Sequence, residues 1–134
     1  RRHSSDFHHT FIEGGGIVAE TLKDALQDFL NIDGVTAVAI VGRDGFVIEN
    51  ATSIKIDQDA LGAVVASAIG ASEMIGKDFD MGKLEQYLLE VATGKAIIAA
   101  AGEDILVLIT NAQAVIGSVR YAVKKNIDAL VALL

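Results

Sequence analysis

The chain has 134 residues, 51% of them hydrophobic, no Cys, no Pro and a formal net charge of -7. Such a length fits one core and such a composition an ordered chain, and the lack of Cys excludes disulfides, thiol catalysis and a Cys-ligated metal while leaving the compartment open. The acidic balance argues against nucleic acid or an anionic membrane as the main partner, because both select basic surfaces.

Residues 1–16 contain His3, His8 and His9, lack periodicity and end in Gly14-Gly15-Gly16. They read as a flexible arm or an artificial leader ahead of a domain over 17–134. Arg1 and Arg2 precede His3, Ser4, Ser5 and Asp6 rather than an apolar stretch, so no signal peptide is expected and the location is expected to be cytoplasmic. A helix fits Ile17 to Asn31, with Val18, Leu22, Ala25, Leu26, Phe29 and Leu30 at helical spacing, Glu20, Lys23, Asp24, Gln27 and Asp28 on the wet side, and Asn31 and Gly34 as stop signals. Val35 to Val41 and Phe46 to Glu49 read as strands flanking the turn Gly42-Arg43-Asp44-Gly45, in which Asp-Gly is a hairpin signal.

Next comes a run of Ala, Gly and Ser from Ala60 to Gly76 with one charge, Glu73. Asp57 or Asp59 can cap it as a helix that ends near Phe79. The 3.6 period places Leu61, Val64, Val65, Ala68, Ser72, Ile75 and Phe79 on a core face. It places Asp59, Gly62, Ala63, Ala66, Ser67, Gly70, Glu73, Met74 and Lys77 on a smooth outer stripe. A helix this apolar needs cover on more than one side, and a second copy of the chain is the leading candidate. Insertion into a membrane is not expected, since Ala and Gly contribute far less hydrophobicity than Leu or Ile.

Lys83 to Ala92, Lys95 to Ala101 and Ile105 to Thr110 follow as strands joined by turns short enough for antiparallel neighbours. Ile105-Leu106-Val107-Leu108-Ile109 has no polar position and should be the central strand. Asn111 or Thr110 can cap a last helix, with Val115, Ile116, Val119, Ala122, Val123, Ile127, Leu130 and Val131 as its apolar side. The order α-β-β-α-β-β-β-α predicts an α/β (α+β) fold, a three-layer α-β-α sandwich around a five-stranded, mainly antiparallel sheet. Lys83 to Ala92 would form an exposed edge that self-pairing about a two-fold axis could cover. That makes Leu84, Gln86, Tyr87, Leu88 and Leu89, with Ala66 and Gly70, the candidate dimer contacts.

The order of elements, the hairpin at 40–48, the helix containing Ala66-Ser67-Ala68-Ile69 and the strand at 105–110 resemble the Roadblock/LC7 domain from about Ile17 to Leu134. The resemblance implies a homodimer with a continuous sheet and a role in regulating or scaffolding small Ras-like GTPases, in some members by clamping the GTP-loaded partner. An adaptor that tethers proteins without sensing nucleotide is the alternative, and pairing with a paralogous chain stays open. A small-molecule sensor is a third class, because α/β domains of this size can enclose a ligand.

The residues offer little chemistry of their own. Gly70 to Asp78 differs from a phosphate-binding loop in having five residues between the glycines and Asp78 where Ser or Thr would hold magnesium. Gly14-Gly15-Gly16 lacks the preceding strand of a phosphate cradle. The histidines cluster on the arm, which leaves Ser53, Ser67, Ser72 and Ser118 without an imidazole base. No catalytic residue, cofactor or metal site is therefore expected, and the protein should not be an enzyme. Partner binding is expected at Ala63, Ala66, Ser67, Gly70, Glu73, Met74 and Lys77, although the same small residues could serve only to let two sister helices touch. Arg43 at the hairpin tip could act as an arginine finger in trans or be simply solvated, the latter being favoured.

Overall fold

The computed structural model describes residues 19–134. The arm, its histidines and glycines, and the first residues assigned to the opening helix lie outside that range. α1 spans Leu22–Leu30, and the Thr21 side chain caps it by accepting from the Asp24 N–H at 3.1 Å. β1 (Val35–Val41) and β2 (Val47–Thr52) form the first hairpin, α2 runs from Gln58 to Asp78, and β3 (Gln86–Val91), β4 (Gly94–Ala101) and β5 (Asp104–Asn111) form a meander before α3 (Ile116–Val131). All strand pairs are antiparallel in the order β2-β1-β5-β4-β3. The wholly apolar segment of β5 is thus central, as its composition requires.

The layers follow from the pleat. Val38, Ile40, Ile97, Ala99, Leu106 and Leu108 point to one face and pack on Leu26 and Phe29 of α1 and on Val119, Val123 and Leu130 of α3. Ala39, Val41, Ile98, Ile105 and Val107 point to the other face and meet Val65 and Ile69 of α2. Strands covered on both sides need no polar alternation.

Several boundaries differ from expectation for identifiable reasons. β2 extends to Thr52 through Glu49 and Asn50, which an edge strand tolerates because one side of it is wet. α3 is not capped by Asn111 or Thr110. β5 continues through Asn111, whose side chain accepts from the Gln113 N–H at 3.0 Å in a turn, and Val115 takes the cap position without a side-chain bond. Val115 is therefore exposed instead of belonging to the core.

The largest correction concerns the phase of α2. Its buried residues are Gly62, Val65 and Ile69, whereas Val64, Ile75 and Phe79, assigned to the core face, are 67%, 57% and 72% exposed. Gly62 and Ala66, assigned outward, turn toward the sheet, and Ala66 packs against the α2-side core. Two close backbone approaches set this rotation. A Cβ on Gly62 would lie 2.0 Å from the Gly45 carbonyl oxygen, and one on Gly76 would lie 2.2 Å from that of Gly82. Part of the small-residue stripe thus serves contacts inside the chain.

Among the described residues α2 is the one helix long and apolar enough to cross a membrane, by length and composition alone. Its inner face is the lid of the second core, and removing it would bare Val41, Ile98 and Val107.

Candidate partner-binding surface

The surface begins at the first hairpin tip. Gly42 accepts from the Gly45 N–H at 2.9 Å, Gly45 takes φ 90°, and the Asp44 side chain accepts from the Phe46 N–H at 3.1 Å. This tight turn holds Arg43 over the flank of α2. There its guanidinium donates to both carboxylate oxygens of Glu73, at 2.5 and 3.0 Å, and Nε donates to the Glu103 carbonyl at 3.3 Å. The hydrogen bond to Glu73 raises the Arg43 pKa, helped by the nearby charges of Glu73 and Asp104 and opposed by partial burial. The guanidinium therefore keeps its charge throughout the ordinary pH range. Arg43 is accordingly not a freely solvated tip residue, contrary to the favoured expectation. It ties together the two turns at this end of the sheet and the C-terminal third of α2, and a bidentate fork holds that geometry better than a lysine could.

At its far end α2 closes with the backbone of a Schellman motif. Met81 N–H donates to the Gly76 carbonyl at 2.7 Å, and Asp80 sits in the left-handed region at φ 55°. The helix is continuous from Gln58 through Asp78, so the stretch resembling a phosphate loop is helical. Phe79 and Met81 project from this end, 72% and 73% exposed.

The outer face of α2 presents Ala63, Ser67, Gly70, Met74 and Lys77, all exposed. Ser67 donates to the Ala63 carbonyl at 3.0 Å, leaving the ridge low, and nothing lies within 4 Å of where a Gly70 Cβ would stand. Ala66 and Glu73 are half-buried at the margin. On the flank away from Arg43, Val64 and Ile75 add apolar area that sequence reasoning assigned to the core. Helical period alone could not reveal this, because α2 carries apolar residues nearly all round. The signal lay in Gly62 and Gly76, fourteen positions apart on one face and marking backbone approach.

Beside this flank lies β3, at one edge of the sheet. Leu84 and Tyr87 are half-buried against the α2-side core, Gln86 donates from Nε2 to the Arg120 carbonyl at 3.2 Å, and Leu88 and Leu89 are about two-fifths exposed, at 39% and 42%. The opposite edge, β2, carries Glu49 and Asn50, is bridged to α1 by Lys23, and pairs with β1 through a register shift at Ile40/Val41. A bridging lysine and an irregular register blunt an edge, whereas β3 pairs with β4 in unbroken register.

The family profile of the Roadblock/LC7 domain matches residues 21–111. The chain belongs to the Roadblock/LC7 family. This Roadblock/LC7 domain is 35% identical over 108 residues to the uncharacterised protein MJ0310 of Methanocaldococcus jannaschii, an alignment covering 81% of this chain and 95% of that one. Its fold matches Myxococcus xanthus MglB with a TM-score of 0.77 at 21% identity, covering 84% of this chain and 93% of that one. A structure described as MglB with tetrameric arrangement matches with a TM-score of 0.76, also at 21% identity, over 87% and 93% of the two chains. At that identity the likeness to MglB establishes the shared fold.

Proposed function

We propose that this Roadblock/LC7 domain is a non-catalytic, homodimeric regulator or scaffold of a small Ras-like GTPase. In this reading two chains pair through β3 and the adjoining flank of α2, and the outer faces of the two central helices form the platform that receives the GTPase. The observation that carries it is the exposed, low-relief face of α2 in a domain whose family is linked to such GTPases. The face offers Ala63, Ser67, Gly70 and Met74 for close contact, and the Arg43–Glu73 ion pair lies beside it. A platform of this kind can stabilise one partner conformation by shape complementarity, with no reactive group of its own. Stimulation of GTP hydrolysis would follow if the conformation it favours is the one that aligns the partner's own machinery.

The test is capture of the purified domain's partners in the presence of GDP or a non-hydrolysable GTP analogue, alongside the Met74→Glu variant. A Ras-like GTPase retained with the GTP analogue and lost with Met74→Glu is the expected result. Retention of the same proteins in both nucleotide states would instead favour the nucleotide-insensitive adaptor.

A further inference from the structure

The free edge of β3 carries its own pairing instructions. Ala100 N–H donates to the Glu85 carbonyl at 3.3 Å, and Tyr87, Leu89 and Val91 stand opposite Ile98, Ala96 and Gly94 at the same alternation. Backbone groups of successive strand residues point alternately left and right, so Glu85, Tyr87, Leu89 and Val91 direct theirs to β4. Those of Gln86, Leu88 and Glu90 are left facing the open edge.

A two-fold axis perpendicular to the sheet keeps each face on its own side, so a residue facing α3 can oppose only residues that face α3. With that restriction one register engages all three open residues of both copies. It sets Leu88 opposite Leu88 of the second copy, and Gln86 of each chain opposite Glu90 of the other. The same register sets Tyr87 against Leu89 on the α2 side and keeps the two Glu90 carboxylates apart.

Charge agrees with this alignment. At the start of β3 a cleft of about 460 Å³ is bordered by Lys83, Arg120 and Lys124 against a single acid, Glu85, a net basic spot on a chain of net charge -7. Neither Arg120 nor Lys124 makes an ion pair among the described residues, and both lie on α3, beyond the stretch matched by the family profile. Gln86 lies beneath Arg120 with its own side-chain oxygen unpartnered. At the other end of β3, Glu90 has a side chain 72% exposed and, among the described residues, its one ion pair is with Lys95, at 3.9 Å.

We infer that a second copy of this chain docks on the β3 edge in the register centred on Leu88, selected by Glu90 of each copy meeting Arg120 and Lys124 of the other. The inference rests on the homodimer reading and adds to it the residues that recognise self. Because the two-fold repeats the contact, charge complementarity acts twice per dimer and penalises a related chain without a matching acid and basic pair.

Sedimentation across a concentration series tests this with Glu90→Arg, with the double variant Arg120→Glu/Lys124→Glu, and with an equimolar mixture of the two. Each variant alone should self-associate about tenfold or more weakly, as like charges meet at both contacts, and the mixture should regain wild-type affinity. Circular dichroism confirms that each chain is folded. The chain has no Cys, so mild oxidation of Leu88→Cys should yield a disulfide-linked dimer. Gln86→Cys should cross-link only when mixed with Glu90→Cys, since paired residues lie about 5.5 Å apart at Cα and a disulfide spans that distance. A wild-type chain that stays monomeric would overturn the homodimer reading and this inference together. A wild-type dimer indifferent to the charge reversals, or one that fails to link through Leu88→Cys, would overturn this inference and leave the dimer standing.

Discussion

On one face of the sheet two helices bury Leu26, Phe29, Val119 and Leu130 to zero exposure; on the other a longer helix buries only Gly62, Val65 and Ile69. The centre of the first face is covered within one chain. The second carries Val64, Met74, Ile75 and Phe79 in the open, each more than half exposed. A sheet of this size gives both layers similar apolar area to cover, so the difference lies in what the helices are for. α1 and α3 each bury a wide apolar face on the sheet, while α2 buries one side and, in the proposed reading, keeps the other for a partner. Exposed apolar side chains on one helix are what the proposed partner surface requires.

Truncations at the centre of each layer should break this contrast most sharply. Phe29→Ala empties a fully enclosed site and is expected to cost about 3–5 kcal/mol, read from chemical denaturation. Ile69→Ala removes the equivalent anchor under α2. The helix there is held from one side and can settle toward the sheet, so a loss nearer the low end, about 2–3 kcal/mol, is expected. Val64→Ser, on the open flank, should leave unfolding of the isolated chain within about 0.5 kcal/mol. Its effect should appear in self-association instead, measured by sedimentation. Equal destabilisation by Ile69→Ala and Val64→Ser would mean that α2 is buried all round.

Glycines refine the same contrast. Gly62→Ala gains roughly 1 kcal/mol of helix propensity but drives a methyl group into the Gly45 carbonyl at 2.0 Å, where backbone must give way. Overpacking of that kind costs about 1–3 kcal/mol, so a net loss is expected, with the hairpin tip and Arg43 displaced from Glu73. A rise in melting temperature would show that the approach of hairpin to helix is not tight.

How much of this was legible in the sequence depended on how many sides of an element are covered. β5 declared its central position because Ile105 to Ile109 are all apolar, and α1 declared most of its inner face because Ala25, Leu26 and Phe29 are set against Lys23, Asp24 and Gln27; Asp28, read with the wet side, is buried at the edge of that face. The order of elements and the Asp-Gly turn were equally plain. α2 was different. Apolar side chains point both to the sheet and away from it, so periodicity had no contrast from which to fix the phase, and Val64, Ile75 and Phe79 were assigned inward. Its small residues have two separate purposes, close packing at Gly62 and Gly76 and an open surface at Gly70, which composition cannot tell apart. The Arg43–Glu73 pair joins residues thirty positions apart and becomes visible only once the turn and the helix are placed together.

Gly70 gives the smallest expected effect and the most direct reading of which purpose a glycine serves. It lies one helical face away from Gly62, and its missing side chain meets nothing within 4 Å. Gly70→Ala should therefore stabilise the isolated chain by about 0.5–1 kcal/mol, because alanine loses less backbone freedom in a helix and no neighbour objects. Measured by thermal unfolding at a concentration where the chain is monomeric, the melting temperature should rise by a few degrees. If the two central helices of a dimer touch at this point, the same methyl group should weaken self-association while it strengthens the monomer. Opposite signs in the two measurements would assign Gly70 to helix–helix contact. A gain in both would leave its bareness to the platform that receives the partner.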